Sequence, residues 1–389
     1  MPHSGARRLS VAERANDRYA AVGKGRPPAD SARGSLDIPV AAQPRRTVRG
    51  GYGYIAMRTE AAADQVRRLS EQARSVAAEV PAASYLGSRD LCIVTCFFNP
   101  CGYRSRVLNC IRFMASLEGS DGVHWRCIEC AFGDSAFSLP ASEHVVRVRS
   151  NSILWQKERL LNLLIRELPR SYTKVAWVDA DVLFTNPEWI VDAAEVLDEV
   201  PVAQLFTHLL RADDRLQMSE LGVDTIESYA SVYRRYPDRA LGPTYFDHGH
   251  TGLAWAGRRD WLQQFGLYDC CLSGTGDHLM AHAFVGDWDP GCLGIGEGSA
   301  YRHFVEWCES VYPSLRARLG VVPGQALSLW HGAESTRNYY GALCKINDLG
   351  FDPWTDLRAN DEGCWEWSSS KLELHDWTRS YFHRRREDG

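Results

Sequence analysis

The sequence lacks any run of about 18 apolar residues, the length that would cross a bilayer as a helix. Its opening residues, MPHSGARRLSVAERANDRYA, lack the apolar stretch of a secretory leader. Both absences lead to the expectation of a cytoplasmic protein with no transmembrane segment. Internal repeats are missing too, and biased composition is confined to the N-terminal arm. Residues 1–50 hold few large apolar side chains and read as a basic, mobile arm. Over residues 51–85 Ala, Glu, Gln and Arg dominate, so a helical lead-in is expected, with its helix over 59–80. A second cysteine pair at zinc spacing is also missing. Cys127-Ile-Glu-Cys130 stands alone, and its alternating setting, WRCIECAF, reads as a strand with two inward thiols. The 12 cysteines are therefore expected as reduced thiols, most of them small buried apolar groups.

What is present describes a globular chain. At 389 residues, with 45% hydrophobic residues and 13 tryptophans, the sequence can bury a large core. The net charge of −5 conceals an asymmetry. Residues 1–80 carry 14 Lys and Arg against 8 Asp and Glu, a surplus of 6 that leaves −11 for the remainder. A basic arm on an acidic body can touch nucleic acid or another anionic surface.

Leu91–Phe98 (LCIVTCFF) is a β-forming apolar run closed by Asn99-Pro100, which predicts a buried strand. Apolar residues at 107, 108, 111, 114 and 117 predict a helix over Arg104–Leu117. Strands over Trp125–Phe132 and His144–Val148 and a helix over Leu154–Leu168 follow. A further strand, a helix over Trp189–Leu197 and the strand VAQLF complete the first half. This alternation predicts an α/β domain with a mainly parallel central sheet flanked by helices. In such sheets ligands sit at the carboxyl ends of the strands. Asn99, Glu129 and the pair Asp179 and Asp181 all fall at such ends.

The last of these is the most telling. In VAWVDADVLFTNPEW an apolar strand delivers two aspartates one residue apart. On a strand, residues i and i+2 share a face, so the two carboxylates are expected side by side. They repel unless a cation lies between them. A divalent ion such as Mg²⁺ or Mn²⁺ accepts few protein carboxylates and fills its other positions with phosphate oxygens and water.

The stretch resembles the Asp-x-Asp region of GT-A-fold, nucleotide-sugar-dependent glycosyltransferases of the family 2 type. The likeness runs in patches from about Leu91 onward. It implies a GT-A (Rossmann-like) domain over 86–389, with a nucleotide-binding half to about residue 200. An acceptor-side half and a C-terminal extension follow. The implied donor is a nucleoside-diphosphate sugar, UDP-linked in preference, and the implied cofactor is Mn²⁺ or Mg²⁺. By position, Asp181 becomes a direct metal ligand, and Asp179 contacts the ribose or the metal through water. LCIVTCFFNPCGYRSR matches the nucleotide-binding strand, so Thr95, Phe97 and Asn99, with Glu129, are expected to hold base and ribose. His331, in Leu329-Trp-His-Gly332, matches the family's C-terminal metal-binding histidine. Arg337, near Tyr339, is placed to face the diphosphate through its guanidinium fork. Lys157 and Arg104 are further phosphate candidates.

Gly274-Thr-Gly-Asp277-His278 matches the acceptor side. Asp277 is a candidate general base or a helix cap, and His278 a second candidate for the same proton. Gly252, in HTGLAWA, permits close approach of a sugar, whereas Trp255 reads as core. The implied acceptor is a hydroxyl on a glycan or other polymer. The basic arm admits an alternative acceptor, a hydroxylated base in DNA. A second alternative is a haloacid-dehalogenase-like, Mg-dependent phosphohydrolase, which also ends a strand in Asp-x-Asp and uses the first Asp as nucleophile.

Overall fold

The computed structural model describes residues 84–212, 225–241 and 245–389. The expected arm and the helix over 59–80 lie outside the described residues.

Four strands, β1 (Leu91–Phe98), β2 (His124–Phe132), β3 (Val145–Ser150) and β4 (Lys174–Val178), pair in parallel in the order β3-β2-β1-β4. Helices α1 (Arg104–Leu117), α2 (Lys157–Glu167) and α3 (Trp189–Glu199) cover them. β1 is apolar along its whole length because both of its faces are buried. Leu91, Ile93 and Phe97 face Val107 and Ile111 of α1 and Trp189 of α3. Cys92, Val94 and Phe98 face the opposite layer, with Leu160, Leu161 and Leu164 of α2. Cys127 and Cys130 are both buried, but three residues apart on a strand they point into different layers. The two thiols therefore do not share one interior. Both are free thiols.

Past β4 lie β5 (Val182–Phe184), β6 (Val202–Gln204), β7 (His208–Arg211), β8 (Ile226–Glu227) and β9 (Ala254–Arg258). Then come β10 (Leu319–Val321) and β11 (Gln325–Ser328). The main sheet has seven strands in the order β10-β6-β9-β4-β1-β2-β3. Only β9 runs against the others. The expected α/β class and mainly parallel sheet are thus present. A second sheet, β5-β11-β7-β8, has no counterpart in the sequence reading, because its strands are two to four residues long and carry no readable period.

The face opposite α1 carries α4 (Tyr229–Arg235), α5 (Arg259–Phe265), α6 (Gly276–Val285) and α7 (Ser299–Leu315). The chain closes with α8 (Tyr339–Asp348), a small hairpin of β12 (Leu357–Ala359) and β13 (Trp365–Trp367), and α9 (Leu372–Arg384). Among the described residues no helix is long and apolar enough to cross a membrane.

Strand order decides where a ligand belongs. From β1 the chain moves outward to β2 and β3, then returns to the other side of β1 for β4. Connections on either side of that reversal diverge and leave a crevice at the carboxyl ends of β1 and β4.

Candidate functional site

A cavity of about 360 Å³ opens at this crevice. Its floor is the turn Asp179-Ala180-Asp181. β4 stops at Val178 and β5 begins at Val182, so the Asp-x-Asp segment is a turn and not a strand. The expectation that strand geometry sets the two carboxylates side by side is corrected here: each has its own partner.

Two backbone ladders bring distant residues to that turn. β9 pairs antiparallel with β4, and the Asp179 amide extends the pairing by donating to the Leu253 carbonyl at 2.8 Å. Gly252 is thereby set beside the turn. β11 pairs antiparallel with β5, and the Leu329 amide donates to the Asp181 carbonyl at 2.8 Å. Two residues further on, His331 reaches Asp181, with Nε2 2.7 Å from Oδ2.

Asp179 takes the other direction. Lys157, at the first turn of α2, places its Nζ 2.6 Å from Asp179 Oδ1 and 2.6 Å from Asp277 Oδ2. The cation that relieves Asp179 in this fold is therefore an ammonium. Burial works against the charge of Lys157, but the carboxylates of Asp179 and Asp277 hold its pKa well above the ordinary lysine value. Burial raises the Asp179 pKa to about 6, and Lys157 opposes the rise while Asp277 and Asp181 add to it. Burial also pushes on Asp181, yet the His331 imidazole and the Arg337 guanidinium bring its carboxyl below the usual range.

Asp277 lies in the first turn of α6, but Thr275 occupies the cap position, and the Asp277 carboxylate goes to Lys157. Gly252 faces the same carboxylate. A Cβ there would stand 3.0 Å from Asp277 Oδ2, which explains why the position holds no side chain. Phe97, Lys157, Asp179, Asp181, Gly252, Asp277, His278, His331, Arg337 and Tyr339 all line the cavity.

Other expected residues do not line it. Thr95 is buried in β1 opposite Cys127, its hydroxyl without a partner. Asn99 closes its own turn, its side chain bonding the Tyr103 amide and carbonyl. Glu129 is buried beneath the loop after β2, accepting from the Leu139 amide at 3.1 Å and pairing with Arg147. Arg104 is exposed at the start of α1, whereas Arg106, two residues on, lines the cavity. Trp255 is core, donating to the Thr251 carbonyl at 2.9 Å.

The least expected contribution comes from the segment after α9. Glu387 is 2% exposed and accepts from Arg385 at 2.7 Å and Arg106 at 3.1 Å. It also lies 3.3 Å from His331 Nδ1, so a buried carboxylate orients the imidazole whose Nε2 meets Asp181. Asp388 caps α1 by accepting from the Arg104 and Ser105 amides at 2.9 and 2.8 Å. Gly332 makes room for this segment. Its φ is +86°, and a Cβ would stand 2.7 Å from the Arg386 carbonyl. Nothing in HRRREDG signals burial, because a charge run read locally is a solvated face.

Glu158 adds a testable feature. It is 2% exposed, and burial raises its pKa to about 8 against the opposing pull of Lys157. The folded protein therefore favours the protonated acid. Stability from this group is complete below about pH 4.5 and is lost as pH rises toward about 8. Glu158→Gln, which keeps the shape without the charge, should match the parent in thermal midpoint near pH 5. It should exceed the parent progressively up to pH 8.5. Equal midpoints across that range would show that Glu158 is ionised in the fold.

No protein-family model and no curated protein matches the chain. Among solved structures the chain is similar to the catalytic domain of Drosophila β1,4-galactosyltransferase 7 in complex with xylobiose. The identity is 11% and the TM-score 0.34, over 75% of this chain and 99% of that one. A mutant of the same enzyme, in complex with manganese, UDP-Gal and xylobiose, is similar at 11% identity and a TM-score of 0.30. There the match covers 61% of this chain and spans 65% of the length of that one. The 4-diphosphocytidyl-2C-methyl-D-erythritol synthase of Anaerococcus prevotii is similar at 8% identity and a TM-score of 0.27, over 62% of this chain and 88% of that one. Likenesses this remote carry no chemistry, and the ligands in those structures belong to those proteins.

Proposed function

We propose that the chain transfers a sugar from a nucleoside-diphosphate sugar, with UDP preferred, to an acceptor hydroxyl on a glycan or other polymer. The observation that carries this reading is the meeting of Asp181 and His331 at the switch point of a parallel sheet, on a cavity also lined by Arg106 and Arg337.

The donor set fits a divalent cation. A carboxylate oxygen and an imidazole nitrogen converge, and the second nitrogen of the imidazole faces the buried Glu387. Asp181 and His331 would hold Mn²⁺ or Mg²⁺, with Asp179 near by. When bound, such an ion neutralises charge on a leaving diphosphate. The chain's own residues do the remainder. Arg337, which also contacts His331, and Arg106, which also pairs with Glu387, bring guanidinium charge to the cavity that would take the phosphates. Lys157 fixes Asp277 and Asp179 relative to one another, which sets the distance between acceptor and donor sides. Asp277 accepts the proton of the attacking hydroxyl, and Gly252 leaves the space in which that hydroxyl approaches. The His278 ring lies against those of His248 and His282, and Asp277 is the base in this reading. The phosphohydrolase alternative loses support, since its motif opens a catalytic domain whereas here Asp-x-Asp follows the fourth described strand.

The direct test is thermal stabilisation across a panel of nucleotide sugars with and without Mn²⁺. A donor at 100 times its Kd adds about 2.7 kcal/mol to the native state, which raises the midpoint visibly. We expect UDP-sugars to do so only when Mn²⁺ or Mg²⁺ is present. A panel in which no nucleotide sugar shifts the midpoint with either metal would overturn the assignment.

A further inference from the structure

We propose that His248, His278 and His282 form a separate transition-metal site, suited to Zn²⁺ or a similar borderline cation. One nitrogen from each ring can be chosen so that all three lie within 4.8 Å of one another. The ring centroids are 4.6, 5.0 and 5.4 Å apart. His278 and His282 stand four residues apart on α6 and so share one of its faces. His248 closes the helical turn Tyr245–His248, and its ring meets both of theirs.

The surroundings are those of a metal-binding imidazole set. His282 Nδ1 is 2.9 Å from Asp287 Oδ2, and His248 Nδ1 is 2.7 Å from the Gly249 carbonyl. An oxygen on one ring nitrogen fixes the ring and its tautomer, and leaves the other nitrogen to the metal. His282 is 0% exposed and its Nε2 has no hydrogen-bond partner. A buried acceptor left unpaired destabilises the fold, and coordination would remove that penalty. Three imidazoles without a carboxylate select Zn²⁺ and its neighbours over Mg²⁺ or Ca²⁺, and three ligands leave a fourth position open.

This site is distinct from the Asp181–His331 pair and does not depend on the sugar-transfer reading. His278 lines the cavity directly after Asp277, so the cavity gives the cation an entry path. A cation held there would tie the Tyr245–His248 turn to α6 and fix the backbone that carries Asp277.

The test uses the full chain, stripped of metal with a chelator and titrated with Co²⁺. We expect one tight site per chain with the visible absorption of a tetrahedral, nitrogen-ligated Co²⁺ ion, bleached by added Zn²⁺. The bands should persist in Asp181→Ala and vanish in His278→Ala. Asp287→Asn, which keeps all three ligands, should weaken binding about 10- to 100-fold. That variant keeps the proposal testable should His278→Ala fail to fold. The proposal is overturned if the parent protein develops no such bands. It is equally overturned if Asp181→Ala loses them, or if folded His278→Ala or Asp287→Asn binds Co²⁺ as tightly as the parent.

Discussion

Under the proposed function, Asp181→Ala will cut metal-dependent sugar transfer by orders of magnitude while leaving the chain folded. Asp181 is the carboxylate in contact with His331, and its loss removes half of the N/O pair that fits the cation. Stabilising a diphosphate leaving group is worth several kcal/mol, so the expected fall in kcat is roughly 10³-fold at about 1.4 kcal/mol per factor of ten. His331 keeps its contact with Glu387 on the other ring nitrogen, so the thermal midpoint without ligand should change little. The check is a steady-state assay with the donor identified by the stabilisation panel, run across a Mn²⁺ titration. Transfer within tenfold of the parent, with the same metal dependence, would mean that Asp181 does not hold the cation.

Glu387→Ala will have the largest effect on stability. Its carboxylate is buried between the Arg106 and Arg385 guanidiniums and the His331 ring. Removing one member of such a group leaves buried charge without compensation, at a cost of about 3–5 kcal/mol. Glu387→Gln keeps a hydrogen-bonding oxygen and should lose less. Burial pushes the Glu387 pKa up, but Arg106 and Arg385 override it and hold it well below 4.5. Its contribution is therefore whole above about pH 4.5 and drains away only as pH falls through the folded value. Urea unfolding at pH 7 is the measurement. A loss under about 1 kcal/mol for Glu387→Ala would show that water already reaches this carboxylate. Because Glu387 also orients His331, the same variant should weaken Mn²⁺-dependent stabilisation by the donor.

The two variants separate what each part of the site does. In the proposed function Asp181 acts on the ligand, whereas Glu387 holds the architecture that aims His331. The first should change turnover at constant stability, and the second should change stability first and ligand response with it.

Much of this was written into the linear pattern of residues. The apolar run Leu91–Phe98 and the helix Arg104–Leu117 lie where their periods place them, because hydrophobic periodicity is a local property that burial on a sheet or helix face enforces. The carboxylates at Asp179 and Asp181, His331, Asp277 and Lys157 were legible as candidates, since ionisable groups beside apolar strands demand partners. The meeting of Asp181 and His331 was implied by the resemblance, but the pairing of Lys157 with Asp179 and Asp277 was not legible. Whether Lys157 or a metal would sit beside Asp179 depends on where α2 starts relative to β4, which is a matter of packing. Thr95, Asn99, Glu129 and Arg104 stood at the right positions in sequence but outside the cavity, because the sheet and the α1 turn direct their side chains elsewhere. Arg106, Arg385, Glu387, His248 and His282 gave no sign at all. Burying a charge or an imidazole is decided by partners brought from 100 or more residues away in some cases, as with Arg106 and Glu387. The sequence by itself determined the α/β class and the chemistry available at the strand ends. Only the tertiary structure decided which of those groups meet, because partner choice for buried polar groups is set by long-range register.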